Sequence, residues 1–221
     1  MQYVKKFFVV FGLFLFSQLG MTAFGFFKGM SLSKGEVSLP LISVTIVLVV
    51  VILNISGMIS LGKLLKLSDF KFSIFDKKNM AIIFGGFILA RVSVIFFAWL
   101  LSLQDINNTA NDETINLLFT GESPLLIFML IAISAPIVEE IVFRGGIIGY
   151  LFKEHQIIGI AVSSVLFGLI HSPSDLISFA LYGSMGLILS LAYYKTKRLE
   201  VSIGIHFLNN LLATLAMFFW T

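Results

Sequence analysis

Long apolar runs alternate with short polar connectors along this chain. Runs near 7–27, 40–61, 80–103, 124–151, 157–172, 174–194 and 200–220 carry few charges. Each holds roughly 16–28 residues, against the ~20 a helix needs to cross a hydrocarbon core about 30 Å thick. The pattern predicts an all-α, polytopic transmembrane bundle of about seven helices. The fifth run is short. The fourth is long enough to tilt, or to break near Pro136, whose missing N–H interrupts a helical ladder. The opening stretch MQYVKKFFVVFGLFLFSQLG has the basic start and apolar centre of a signal peptide. Its apolar part runs for ~20 residues without a convincing small-x-small cleavage site, so a retained first helix is expected.

The connectors orient the bundle. Lys5, Lys6, Lys63, Lys66, Lys71, Lys77, Lys78, Lys153, Lys195, Lys197 and Arg198 fall on one side; Lys28 and Lys34 fall on the other with Glu36, Asp105, Asp112, Glu113, Glu122 and Asp175. Cytoplasmic loops collect basic residues, so the N-terminus is expected in the cytoplasm and the C-terminus outside. The segment LGKLLKLSDFKFSIFDKKN, residues 61–79, is basic and partly amphipathic. It suits either the cytoplasmic lipid surface or a solvated loop that enforces topology.

Composition adds exclusions. Of 221 residues, 58% are hydrophobic and 12% charged, too apolar to cover the surface of a water-soluble domain. The net charge of +3 is spread over loops, unlike a nucleic-acid footprint. The absence of Cys removes disulfide and thiolate chemistry. There is no repeat, low-complexity tract or separate soluble domain.

Within the spans, the ionisable residues are Arg91, Glu139, Glu140, Arg144, His171 and His206. Charges at membrane depth are costly unless paired or hydrated, which makes each a candidate functional residue. From the cytoplasmic helix ends, Glu140 and His171 lie about 20 Å deep, His206 about 10 Å and Asn210 about 16 Å. Three helices thus bring polar groups to a similar level, as one internal cavity would require. Glu140 and Arg144, at i,i+4, share a face and can pair. Glu139 is rotated about 100° away. Unpaired beside a like charge in an apolar cavity, it is the better general base. His206 and Asn210 share a face, as do Phe167 and His171. Each residue alone has a plainer reading: the Glu–Arg pair as a register lock, either His as a hydrogen-bonded structural residue, Asn210 as interhelical glue. Arg91 suits a structural pair with Glu139 or Glu140 better than a substrate carboxylate. His155, beside Lys153 and Glu154, reads as a loop residue.

Glu139-Glu140-x-x-x-Arg144, Phe167-x-x-x-His171 and His206-x-x-x-Asn210 resemble, in order, the three motifs of the CAAX prenyl endopeptidase and bacteriocin-processing (CPBP, or Abi) family of intramembrane proteases. The resemblance covers roughly 123–215. It implies a four-helix catalytic core over 123–221, preceded by three helices and connectors over 1–122. It further implies hydrolysis of peptide bonds by a water that Glu139 and His171 activate, an oxyanion site of His206 and Asn210, and a site organised by Glu140 and Arg144. The same resemblance leaves a metal open: Glu139, His171 and His206 could hold zinc with a free position. The metal-free glutamate mechanism is preferred, because no HExxH occurs and the donors lie on three helices. One oxyanion donor is worth about 100–1,000-fold in rate.

The Lys-, Ile-, Phe- and Asn-rich composition suggests a low-GC bacterium, hence a multi-pass protein of the plasma membrane. By resemblance, its partners are membrane-associated peptides, such as bacteriocin or pheromone precursors, and a self-immunity role is a further expectation. Two other classes compete. A non-catalytic immunity or binding protein would tolerate motif decay, and none is seen. An ion-coupled transporter would use Glu–Arg–His chains, but shows internal repeats or paired broken helices that are missing here.

Overall fold

The computed structural model describes residues 2–68, 70 and 76–219. Its helices are α1 (Gln2–Ser17), α2 (Leu19–Ser33), α3 (Leu41–Leu64), α4 (Lys77–Ser102), α5 (Ala110–Phe119), α6 (Pro124–Ile127), α7 (Ala135–Glu140), α8 (Gln156–Ile170), α9 (Leu176–Thr196) and α10 (Leu199–Phe219). Two π-helical stretches, Phe128–Ser134 and Ile141–Leu151, flank α7, so residues 124–151 form one continuous helical span.

Among the described residues, six helical segments are long and apolar enough to cross a membrane, with Gln2–Ser33 acting as one and α8 as a shorter apolar seventh. Each of the seven apolar runs therefore becomes a helix. The chain is a multi-pass membrane protein, and its outer faces agree: Leu41, Ile42, Leu53, Ile88 and Leu176 are exposed, a sheath that lipid tails solvate. The 124–151 span is 56% buried and α4 only 11%, which puts the motif-bearing span at the centre and α4 at the edge.

The expected break at Pro136 takes a subtler form. Pro136 cannot donate to the preceding turn, and the helix widens into π turns before it rather than ending. Beyond Glu140, the second π stretch contains Gly145 and Gly146, against which Leu67, Leu199 and Val10 close. Helices α8 and α9 meet through small residues. A Cβ on Gly168 would lie 3.2 Å from the Gly183 nitrogen, and one on Gly186 would lie 3.1 Å from Ser164 Cα. Without side chains there, the two backbones approach closely enough to bury Phe167 between them.

Two expectations are corrected. The first helix does not end near residue 27, and Lys28 is not a loop residue. It lies inside α2, 1% exposed, with Nζ 2.6 Å from Glu122 Oε1 and 2.6 Å from the Val37 carbonyl. Glu122 also accepts the Leu39 N–H at 3.2 Å. A charge in this position can stay in the helix because its counter-ion is buried with it. The basic connector after α3 falls partly outside the described residues, at Asp69 and 71–75. Its first part is tied to protein: Leu67 is buried in the core, and Ser68 Oγ donates to Glu200 at the start of α10.

Candidate active site

The centre of the bundle holds one connected polar network. Glu140, on the last turn of α7, and Arg144, one turn later, are both fully buried and pair at 2.8 Å, as their i,i+4 spacing predicts. Arg144 Nη2 donates to the Gly186 carbonyl at 2.9 Å. Its guanidinium lies 4.6 Å over the Phe167 ring. Cation–π attraction and a carboxylate partner together hold a charge that hydrocarbon alone would expel.

Glu140 Oε1 also lies 3.1 Å from His206 Nδ1. A carboxylate that accepts from Arg144 has no proton to give, so Nδ1 is the donor. In neutral His206, the lone pair is therefore on Nε2, which faces Glu139 Oε2 at 3.9 Å. Glu139 differs from its neighbour as the 100° rotation requires: its side chain is 18% exposed while that of Glu140 is fully buried, although Oε2 of each lacks a hydrogen-bond partner. The structure thus puts His206 at ion-pair distance from Glu139, whereas no hydrogen bond or ion pair joins Glu139 to His171.

His171 ends α8, where the last carbonyls of a helix lack intrahelical donors. Its Nδ1 lies 2.7 Å from the Phe167 carbonyl. A carbonyl only accepts, so Nδ1–H is fixed, and Nε2 of the neutral ring carries the lone pair. Phe167 sits between the histidines, 4.7 Å from the His171 ring and 5.7 Å from that of His206. On its other face, His171 stacks on Tyr182 at 4.5 Å and 12°.

Asn210 donates to the Ile131 carbonyl at 3.0 Å, in the π stretch before α7. It lines the same cavity of about 500 Å³ as His171, His206 and Arg91. Arg91 corrects an expectation: it bonds to Asn209 Oδ1 at 3.0 Å and pairs with neither glutamate. His155 is exposed at the start of α8, outside the site, as expected. The cavity reaches the loop after α4, where Asn107 and Asp112 are exposed.

Two participants had weak sequence signals. Tyr182 looks like one more apolar position on α9, yet its hydroxyl meets Thr109 at 2.8 Å and Asn111 at 3.2 Å while its ring supports His171. Helix α5 announces itself only through Thr109-x-x-Asp112, a capping box that is present here with Asp112 N–H to Thr109 Oγ1 at 3.1 Å. No sequence signal marks the carbonyls of Phe167, Gly186 and Ile131 as anchors.

A metal was one expectation. Among the described residues, no three His, Asp or Glu side chains converge as a metal-binding set. Glu140 and Phe167 each hold one histidine Nδ1, which leaves Nε2 of both rings and Glu139 Oε2, 3.9 Å from that of His206, as the remaining donors. These donors are not drawn together as a three-ligand centre.

Comparison with known proteins finds relatives for part of the chain. Residues 121–212 match the family described as type II CAAX prenyl endopeptidase Rce1-like. The chain is 30% identical over 132 residues to UPF0177 protein YvdC of Lactococcus lactis, covering 60% of this chain and 50% of that one. It is 44% identical over 94 residues to the membrane-embedded CAAX protease MroQ of Staphylococcus aureus, covering 39% and 37%. It is 40% identical over 88 residues to the putative membrane peptidase YdiL of Bacillus subtilis, covering 39% and 35%. The chain thus spans half or less of the length of these three relatives. No solved structure matches it.

Proposed function

Since residues 121–212 match the family described as type II CAAX prenyl endopeptidase Rce1-like, we propose that this bacterial multi-pass membrane protein is an intramembrane endopeptidase acting on membrane-associated peptides. The observation that carries the reading is the asymmetry of the glutamate pair. Glu140 is fully buried with Oε1 locked between Arg144 and His206, whereas Glu139 is part-exposed and its Oε2 faces the free nitrogen of His206 at 3.9 Å.

Amide hydrolysis needs a deprotonated water and a receptor for the tetrahedral oxyanion. A water between Glu139 Oε2 and a histidine Nε2 donates one proton to the carboxylate and turns its lone pair toward the scissile carbonyl. Glu139 takes that proton as the C–O bond forms, then returns it to the leaving amine as the C–N bond breaks. His171, fixed with its Nε2 lone pair available, is the second acceptor for the water. Asn210 supplies an amide N–H to the oxyanion. His206 can donate from Nε2 as well only as imidazolium, because its Nδ1–H is committed to Glu140. Glu140 and Arg144 position His206 and balance charge without touching substrate. The catalytic core lies within 123–221, and helices of 1–122 brace it. Peptide precursors of the bacteriocin or pheromone kind are the substrate class that suits such a site, and self-immunity is a role this cleavage could serve.

The test compares peptide termini in membranes and medium of cells expressing wild type or Glu139→Gln at matched levels. New termini made only by wild type, and absent with the variant, support the reading and identify the substrate. Matching profiles alongside a surviving immunity phenotype would replace it with a non-catalytic binding role. A chelator-treated arm in isolated membranes reads metal dependence directly, with cleavage expected to persist.

A further inference from the structure

Buried cations in this protein come with their own anion: Arg144 has Glu140, and Lys28 has Glu122. Arg91 breaks that rule. It lies half-buried near the middle of α4, and among the described residues no carboxylate pairs with it. Its hydrogen-bond partner is the neutral amide oxygen of Asn209. Asp112, the carboxylate that shares the cavity, is already engaged by Thr109 and Tyr182. A guanidinium has five N–H donors in a planar fork, and one of them is used here. An uncompensated, donor-rich cation at membrane depth, facing a cavity, is a candidate receptor for an anion. At that depth the anion is not a headgroup phosphate of the surrounding bilayer.

The cavity says which anion. Arg91 and Asn209 share it with His171, His206 and Asn210. Asn209 is adjacent in sequence to Asn210 and less than one turn from His206, so a group held by Arg91 lies about two or three extended residues from a carbonyl at the histidines. We propose that Arg91, oriented by Asn209, is the receptor for a carboxylate of the bound peptide a few residues from the scissile bond. The carboxylate is either the peptide's C-terminus or an acidic side chain. Planar, bidentate pairing is the mode a guanidinium favours for this ligand. Asn209 is a positioning residue: it holds the fork without neutralising it, which an Asp at that position would do. The proposal rests on the peptidase reading for the identity of the ligand, and its test does not depend on cleavage.

The full chain, carrying Glu139→Gln to prevent turnover, is placed in phosphatidylglycerol–phosphatidylethanolamine nanodiscs. Mixed-sequence apolar 12-residue peptides are then titrated in three versions: free C-terminal acid, C-terminal amide, and amide with one internal Glu. One acidic version should bind about 10–100-fold tighter than the plain amide, and which one does so identifies the source of the carboxylate. Adding Arg91→Gln or Asn209→Asp should erase that ratio, and Arg91→Lys should retain part of it. Folding of each variant is checked by its thermal unfolding. Equal binding of all three versions by the parent would overturn the proposal, as would a ratio that survives Arg91→Gln in folded protein. An acid preference in a protein whose Glu139-containing form cleaves nothing would leave the carboxylate site standing and sink the peptidase reading instead.

Discussion

Removing either half of the Glu140–Arg144 pair should cost far more than removing both. Each side chain is fully buried, and they meet at 2.8 Å. Breaking a buried pair leaves an uncompensated charge, worth about 3–5 kcal/mol. Glu140→Leu should lie at the upper end, because a guanidinium cannot shed its proton. Arg144→Leu should lie lower, because the stranded carboxylate can take up a proton. In the double variant both charges are gone. What remains is His206 Nδ1–H without its acceptor, about 1–3 kcal/mol, while the Gly186 carbonyl keeps its second donor, Ser190 Oγ at 2.7 Å. The double should therefore be more stable than either single, a coupling of several kcal/mol in a double-mutant cycle. Denaturant unfolding in mixed micelles reads this at constant m-value. All three variants should lose peptidase activity, since each disturbs His206. Singles within ~1 kcal/mol of wild type would show that the cavity hydrates the pair. A double as unstable as the two singles combined would show that the residues act separately. Either result refutes the buried-network account.

Three other perturbations test the frame around the site. Gly186→Ala puts a Cβ 3.0 Å from Phe167 Cβ and 3.1 Å from the Ser164 backbone; it should destabilise by about 1–3 kcal/mol and lower activity with it, measured by unfolding and peptide cleavage on the same preparations. Lys28→Met strands buried Glu122 and should cost about 3–5 kcal/mol, with Lys28→Met/Glu122→Leu recovering most of the loss in the same unfolding assay. Asp175 caps α9, and hydrogen bonds led by the Ser178 N–H hold its carboxyl below the usual aspartate range. A folded value below the unfolded value stabilises at neutral pH and fades as pH falls through the folded value. Asp175→Asn keeps the cap without the charge, so its Tm should trail wild type slightly at neutral pH and converge with it as pH falls through the lowered folded value.

Helix existence was legible because a membrane span needs a long apolar run, and all seven runs became helices. Boundaries failed where a charge was read as the end of a run. Lys28 looked like a loop residue only because its partner, Glu122, lies far away in sequence, on the connector before the 124–151 span. The rule that charge marks a loop assumes an unpaired charge, and pairing is tertiary. Helix α5 fails in the opposite way: it is too polar and short to register as a run, and the Thr109–Asp112 capping box is its one local sign. The π stretches are less visible still, since Pro136 marks the place without dictating whether the helix breaks or widens.

The site divides along the same line. Contacts within one helix were readable from spacing, and Glu140–Arg144 is one. Contacts between helices were not, and a single residue of rotation decides them. Asn209 and Asn210 differ by ~100° around α10, so one turns to Arg91 and the other to the Ile131 carbonyl. Sequence could nominate the histidines but not say which ring nitrogen is free. That follows from what holds the other nitrogen: a carboxylate for His206, and for His171 the unsatisfied carbonyl at its own helix end. Both anchors accept only, so both neutral rings keep the lone pair on Nε2. Which nitrogen is free is thereby fixed by two acceptors, one supplied by another helix and one by backbone that any residue could provide. Residue types therefore nominate the site, while the packing of α7, α8 and α10 determines which ring nitrogens are left open.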